Sequence, residues 1–158
     1  MKARLLRSRE LAPSTRHFEF ESPGWNAAFV PGQFLSLTRQ IGDDEITRAY
    51  SIASPPGGNH FALCANLVDD GRFSPFLFGM QPGDEVDFKG PYGAFILRRP
   101  VSDSIFVATG TGIAPFRSML HASLQLHPTQ RFTLIFGVRH EHGLLYHDEL
   151  LALAAQYP

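Results

Sequence analysis

Two patterns with different periods meet near Pro100, and their order restricts what the chain can fold into. Before Pro100, short stretches alternate apolar and polar residues, the period of a strand with one buried face. Phe18 and Phe20 mark one such stretch over 17–21, and residues 34–38 (Phe-Leu-Ser-Leu-Thr) mark another. Extended runs follow at 61–68 and 85–88. Turn residues separate them, notably Pro31-Gly32 and Gln81-Pro82-Gly83-Asp84. One short helix is expected over 74–80, with Ser74 as its N-cap and Pro75 in its first turn. After Pro100 the period changes. Residues 104–108 (Ser-Ile-Phe-Val-Ala) form an apolar run expected of a parallel strand buried on both faces. A glycine turn leads into helical spacing over 113–126, carried by Phe116, Met119, Leu120 and Leu124. A second buried strand is expected at 132–137 and a second amphipathic helix at 144–157. Strand–helix–strand–helix begins a doubly wound sheet. The expected fold class is β barrel plus α/β. An antiparallel barrel occupies residues 1–99, and a partial doubly wound lobe occupies 100–158.

Charge and cysteine content exclude several roles. Net charge is −1 over 158 residues, so there is no electrostatic case for nucleic acid as a partner. Cys64 is the single cysteine, which excludes an intramolecular disulfide and disfavours a structural zinc site. His140, Glu141, His142 and His147 read as a solvated loop and not as a metal set. No apolar run approaches the ~18 residues that would span a bilayer. The basic N-terminus lacks the apolar segment of a signal peptide. A cytoplasmic protein with no membrane partner is expected.

Several short motifs stand in a fixed order: Pro31-Gly32-Gln33-Phe34, Arg48-Ala49-Tyr50-Ser51, Gly71-Arg72-Phe73-Ser74, Gly90-Pro91-Tyr92-Gly93, and the segment from Thr109 to Pro115. Alone, each has an ordinary explanation. Arg48 and Tyr50 share one face of a strand, with Ser51 on the other, as a half-buried strand with an exposed arginine would. Gly71 permits a tight turn before a capped helix, and the first N–H groups of that helix form an anion site. Thr109-Gly110-Thr111-Gly112 lacks the lysine of a P-loop and the full Rossmann spacing. As a glycine turn between strand and helix, it suits a pyrophosphate at a helix N-terminus.

In order and spacing these motifs resemble the ferredoxin–NADP(+) reductase family of flavoproteins, over essentially the whole chain. The resemblance implies FAD and NAD(P)H as cofactors. It sets Tyr50 against the flavin ring and Arg48 at the phosphates, with Ala49 between them. The Ser51 hydroxyl falls at the reactive nitrogen, which makes it the catalytic candidate. The backbone of Leu63, Cys64 and Ala65 would contact the flavin. Asn66 stands where family members often carry a lysine. Gly71, Arg72, Phe73 and Ser74 would hold the pyrophosphate, which implies FAD and not FMN. Thr109, Gly110, Thr111 and Gly112 would hold NAD(P)H, with Thr111 also touching flavin. Val138 and Arg139 would lie toward the adenosine.

The activity implied is hydride transfer between NAD(P)H and flavin, with ferredoxin, flavodoxin or another one-electron carrier as partner. Two other readings stand beside it. One is a flavin-binding electron-transfer module or subunit without pyridine nucleotide activity. The other is a non-catalytic fragment. The family's Cys-Gly-x-Pro segment has no match, so the nucleotide lobe is expected to be incomplete. Its 104–108 strand would then carry an unpaired edge, and a homodimer, a swapped assembly through this lobe or disorder beyond Pro100 is expected.

Overall fold

The computed structural model describes residues 1–158. Strands β1 (Lys2–Ala12) and β2 (Thr15–Glu21) form a hairpin, and β3 (Phe34–Ile41) and β4 (Asp44–Ser51) form another. Strand β5 (His60–Asn66) pairs along β2, and β6 (Glu85–Tyr92) runs between β1 and β3. The six strands are antiparallel in the order β4-β3-β6-β1-β2-β5. A bridge between Ile52 and Leu63 joins the two outer strands and closes the sheet into a barrel. This single bridge joins the outer strands without a full ladder between them.

The alternation read from the sequence fills this barrel. Phe18, Phe20, Leu35, Leu37, Phe61, Leu63 and Phe88 are all buried. Their rings interlock, with centroids 5.2 Å apart for Phe20–Phe61 and 5.3 Å for Phe61–Phe88 and Trp25–Phe88. Burying each such ring stabilises the fold by roughly 1.5–3 kcal/mol. Helix α1 (Phe73–Gly79) adds Phe73 and Leu77 to the same core.

Strand β1 has no counterpart in the sequence reading. Ala3 and Leu5 point inward, but Arg4, Arg7, Arg9 and Glu10 hide the period. Those charges sit outside, and Arg4 and Arg7 pair across the hairpin, as in Arg7–Glu19 at 2.9 Å.

The second lobe runs from β7 (Ser104–Thr109) through a 3-10 turn at Gly110–Gly112 into α2 (Ile113–Ser123). It continues through β8 (Phe132–Gly137) and a second 3-10 turn, Glu141–Gly143, to α3 (His147–Gln156). Strands β7 and β8 are parallel and pair in register from Ser104↔Phe132 to Thr109↔Gly137. Helix α2 packs on one face of them, with Phe116 stacked 5.0 Å from Phe106. Helix α3 lies against the same face through Leu150, near Leu134 and Phe136.

Two expectations are corrected in this lobe. β7 is buried on one face and not on both. Phe106 and Ala108 are covered, whereas Ile105 and Val107 are 69% and 65% exposed and Ile135 of β8 is 54% exposed. Both helices occupy the opposite face, so nothing covers these three. The final helix begins at His147 and not at Leu144, because Tyr146 adopts a left-handed backbone (φ 59°, ψ 23°) that interrupts helical geometry.

Candidate functional site

The C-terminal end of β4 carries the arginine–tyrosine–serine motif. Register places Tyr50 opposite Leu35 and Arg48 opposite Leu37, while Ala49 and Ser51 face the other way opposite Ser36 and Phe34. Tyr50 is half-buried, its ring 6.1 Å from that of Phe73. Burial pushes its hydroxyl above the ordinary tyrosine range, against the opposing pull of Arg48. Arg48 reaches solvent. Its guanidinium donates only to the neighbouring Thr47 carbonyl, at 2.8 Å, and enters no ion pair. It is free to turn toward an anion.

Past Ser51, the Ile52 N–H donates to the Gln33 carbonyl at 3.0 Å. The Gln33 side chain accepts from the Val30 N–H at 2.9 Å and donates to the Gly93 carbonyl at 3.1 Å. The Pro31–Phe34 turn thus ties the end of β4 to the loop after β6. Gly32 has φ +103°, and a Cβ there would collide with the Phe95 carbonyl oxygen and the Met119 side chain. Only glycine fits where the turn meets α2 so closely.

The 71–74 segment behaves differently from its sequence reading. Ser74 is not an N-cap. It lies inside α1, and its hydroxyl accepts from the Val68 N–H at 2.9 Å, bracing the preceding turn. Gly71 is needed for room, since a Cβ would come within 2.9 Å of both the Val68 carbonyl oxygen and the Ser74 hydroxyl. Arg72 is already engaged. It donates to the Asp44 carboxylate at 2.6 Å and the Ile41 carbonyl at 2.9 Å, locking α1 to the β3–β4 hairpin. The first turn of α1 has no side-chain cap and no acidic residue.

Strand β5 faces both cores. Leu63 and Ala65 point into the barrel, and Cys64 points into the second core beside Ala108, Ile113 and Tyr146. Burial pushes the Cys64 thiol up to about 11, so it is protonated and inert as a nucleophile. The Gly110–Gly112 turn lies against β5. Arg48–Ser51, Leu63–Ala65 and Thr109–Gly112 are therefore joined in sequence of contact, through the Ile52–Leu63 bridge and β5. Gly137 ends β8 opposite Thr109, and Val138 and Arg139 follow it, at the C-terminal ends of both parallel strands. Ligands of doubly wound sheets bind at those ends. Helix α2 starts there with no side-chain cap and no acidic residue in its first turn; the Ile113 N–H is bonded to the Gly110 carbonyl and Pro115 has no N–H, so the glycine turn before the helix is the part open to a ligand. Arg139 is exposed and makes no ion pair, and the nearby His140 and His142 rings stack 5.3 Å apart.

One cluster escaped the sequence reading. Arg117 of α2 forks onto Glu149 of α3 at 2.7 and 3.2 Å and donates to the Ala53 carbonyl at 2.6 Å. It also stacks over the Tyr146 ring, 4.8 Å from the centroid. His121 lies 2.6 Å from the same Glu149 carboxylate. Burial works to raise the Glu149 carboxyl, but hydrogen bonds from His121 and Arg117 overcome it and hold it at about 2. Tyr146 in turn reaches His17 of β2, with its hydroxyl 2.9 Å from Nδ1. The other ring nitrogen, Nε2, faces the Glu19 carboxylate at 3.3 Å. A carboxylate only accepts, so Nε2 carries the proton and Nδ1 accepts from Tyr146. Burial, then Arg117 and Arg9, lower the His17 pKa to about 4, so the ring is neutral. The partners are far apart in sequence, which leaves no local signal.

The site fits the flavin and nucleotide implied by its motifs on three counts: the half-buried Tyr50 face, the unpaired Arg48 guanidinium and the Gly110–Gly112 turn set against β5. Comparison with known proteins agrees. Residues 2–96 match the oxidoreductase FAD-binding domain and residues 106–158 the oxidoreductase NAD-binding domain. The chain is 42% identical over 157 residues to ferredoxin–NADP reductase B of Sorangium cellulosum, covering 97% of this chain and 64% of that protein. It is 36% identical over 152 residues to the toluate 1,2-dioxygenase electron transfer component of Pseudomonas putida, covering 95% and 45%. In structure it is similar to a ferredoxin NADP+ reductase from Neisseria gonorrhoeae solved with bound FAD and NADP. That match has a TM-score of 0.83 and 29% identity, over 99% of this chain and 64% of the other. The chain spans less than two thirds of the length of these relatives. The chain belongs to the oxidoreductase FAD-binding domain family and is a ferredoxin–NADP(+) reductase-like flavoprotein.

Proposed function

We propose that the protein is an FAD-dependent oxidoreductase of the ferredoxin–NADP(+) reductase type. It would exchange hydride with NAD(P)H and pass electrons to or from an iron–sulfur or flavodoxin-type carrier. The observation that carries this reading is the junction of the Arg48–Ser51 strand, β5 and the Gly110–Gly112 turn on one side of the barrel. Bound flavin supplies the chemistry of taking electrons in pairs and releasing them singly. The chain's own residues bind and orient. Tyr50 offers an aromatic wall, Arg48 a cation for phosphate, and Ser51 a hydroxyl on the opposite face of the same strand. Ala49, Leu63, Cys64, Ala65, Gly71 and Phe73 contribute backbone and apolar surface to the flavin. Thr109, Gly110, Thr111 and Gly112 receive the nucleotide pyrophosphate, with Val138 and Arg139 toward its adenosine. Arg48 is the phosphate cation of this reading, while Arg72, the second cation candidate, is held by Asp44.

The test is a visible spectrum of the purified protein after reconstitution with FAD, followed by anaerobic addition of NADPH or NADH. A flavin spectrum that bleaches supports the reading. Failure to take up FAD refutes it. Uptake without bleaching would establish the second reading, a flavin module without pyridine nucleotide activity.

Two finer expectations belong here. No helix is long and apolar enough to cross a membrane, and the buried free thiol of Cys64 supports a reducing compartment such as the cytoplasm. Fractionation of cells producing the protein checks this, and recovery outside the cytoplasm would overturn it. The bare face bearing Ile105, Val107 and Ile135 supports association between copies. Light scattering across concentration tests it, and a strict monomer would end the idea.

A further inference from the structure

Helix α2 leaves the glycine turn at Ile113, and by its second turn it is fastened to the barrel at two points. Arg117 donates to the Ala53 carbonyl at 2.6 Å, and the buried Ser118 hydroxyl donates to the Ser54 carbonyl at 2.6 Å. Ala53 and Ser54 follow the Arg48–Ser51 motif after one residue, Ile52. They are also pinned to β5, since the Ala53 N–H donates to the Ala62 carbonyl at 2.7 Å and the Ser54 hydroxyl accepts from the Ala62 N–H at 3.0 Å. The span from turn to barrel therefore runs through rigid elements alone, and the helical part covers only about 6 Å at 1.5 Å per residue.

Arg117 is fixed from two further directions. Glu149 grips its fork from α3, and the Tyr146 ring lies beneath it. Its side chain is only 14% exposed, so the pair with Glu149 is largely desolvated. Tyr146 reaches this position by adopting a left-handed backbone, which is costly for a bulky residue and persists only where surrounding contacts impose it. Its hydroxyl then continues the chain of contacts to His17 and Glu19 on the barrel wall. Every side-chain hydrogen bond and ion pair of Arg117 thus joins the second lobe to itself or to the segment after Ser51.

We propose that Arg117 is a positioning residue that sets the nucleotide-binding glycine turn at a fixed distance from the flavin-binding strand. This rests on the flavin and nucleotide reading above. Arg117 touches neither cofactor in this role. It acts through Ala53 and, by way of Glu149 and Tyr146, through the start of α3. A lysine would keep the charge, but it lacks the planar fork needed to hold Glu149 at two points while reaching Ala53.

The experiment compares wild type with Arg117→Met, Arg117→Lys and Ser118→Ala. Hydrogen exchange is followed over residues 52–54 and 110–113, and FAD retention and the flavin difference spectrum on adding NADP+ or NAD+ are measured. Arg117→Met is expected to speed exchange in both segments about tenfold while leaving the β1–β2 hairpin unchanged. FAD retention should hold within about twofold, and the nucleotide-induced difference spectrum should fall about fivefold or more. Arg117→Lys should recover less than half of that amplitude. Ser118→Ala, which removes one fastening and no charge, should show the same pattern more weakly. Unchanged exchange in the two segments would overturn the proposal. So would exchange rising throughout the barrel together with FAD loss, since that describes a residue of general stability. Exchange is measurable without FAD. A protein that takes up no flavin would refute the functional reading while still testing the fastening itself.

Discussion

Acidification should destabilise this protein through His17 before its carboxylates begin to protonate. The ring sits in a side-chain environment only 4% exposed, with Arg117 and Arg9 nearby, and its pKa falls from 6.5 to about 4. A lowered histidine pKa means that the unfolded chain binds the extra proton first. Stability therefore rises with pH across the window between the two values, and it is lost as pH falls from about 6.5 toward 4. Full loss of this contribution corresponds to about 3 kcal/mol at 1.36 kcal/mol per unit, of which about 2 kcal/mol is gone by pH 5. Urea unfolding at about pH 7.5, 6 and 5 should show this as a steadily falling midpoint. His17→Gln keeps an acceptor for the Tyr146 hydroxyl but removes the titration. Its absolute stability will be lower, yet its pH slope should be shallower than wild type by close to one proton over this range. Glu19 and Glu149 are both held below their ordinary range and stay ionised in the folded protein down to pH 5; Glu149 is untouched by the substitution, whereas Glu19 keeps the lowering that Arg7 supplies and loses the part that His17 supplies. Parallel pH curves for the two proteins would show that His17 is not held neutral, and the account of the buried contacts around it would fail.

The two arginines of the flavin motifs should separate cleanly. Arg48→Ala removes an unengaged guanidinium, so FAD should bind about 10- to 100-fold more weakly with the unfolding midpoint nearly unchanged; equal FAD retention after dialysis would take Arg48 out of the site. Arg72→Ala breaks an exposed ion pair with Asp44, so stability should drop by no more than about 1 kcal/mol and FAD retention should stay unchanged; dialysis losses matching those of Arg48→Ala would reinstate Arg72 as a phosphate ligand. Gly32→Ala forces a side chain into the Phe95 carbonyl at a left-handed φ, so thermal unfolding should show a loss of at least about 2 kcal/mol; a neutral result would mean that the turn can move away from α2.

The barrel is legible in the sequence where one face is buried and the other is polar. Phe18 and Phe20 announce β2, and Gln81-Pro82-Gly83-Asp84 announces its turn, which the structure closes with an Asp84 N–H to Gln81 carbonyl bond of 3.0 Å. Strand β1 is not legible, because its outward arginines swamp the two inward residues. The run 104–108 states a preference for burial without naming what will cover it, and one of its faces stays bare. Which motif arginine is free depends on Asp44, far from Arg72 in sequence and opposite it only once the hairpin forms. The same holds for Arg117. Its neighbours Phe116, Ser118 and Met119 read as a helix packing on a core, while Ala53, Tyr146 and Glu149 become its partners only through tertiary folding.

The strand order has a consequence for the protein's synthesis. β1 is made before the other five barrel strands, yet one of its two partners is β6, through pairs such as Ala3↔Val86. At roughly 5–20 residues per second, β1 waits roughly 4 to 15 s on the ribosome before β6 has been polymerised. For that interval Ala3 and Leu5 have the β2 hairpin but no closed barrel around them. The arginines that obscure β1 in the sequence line the waiting strand with charge, which discourages pairing with another nascent chain. Slowing translation before residue 85 should lengthen this exposure without altering the finished fold.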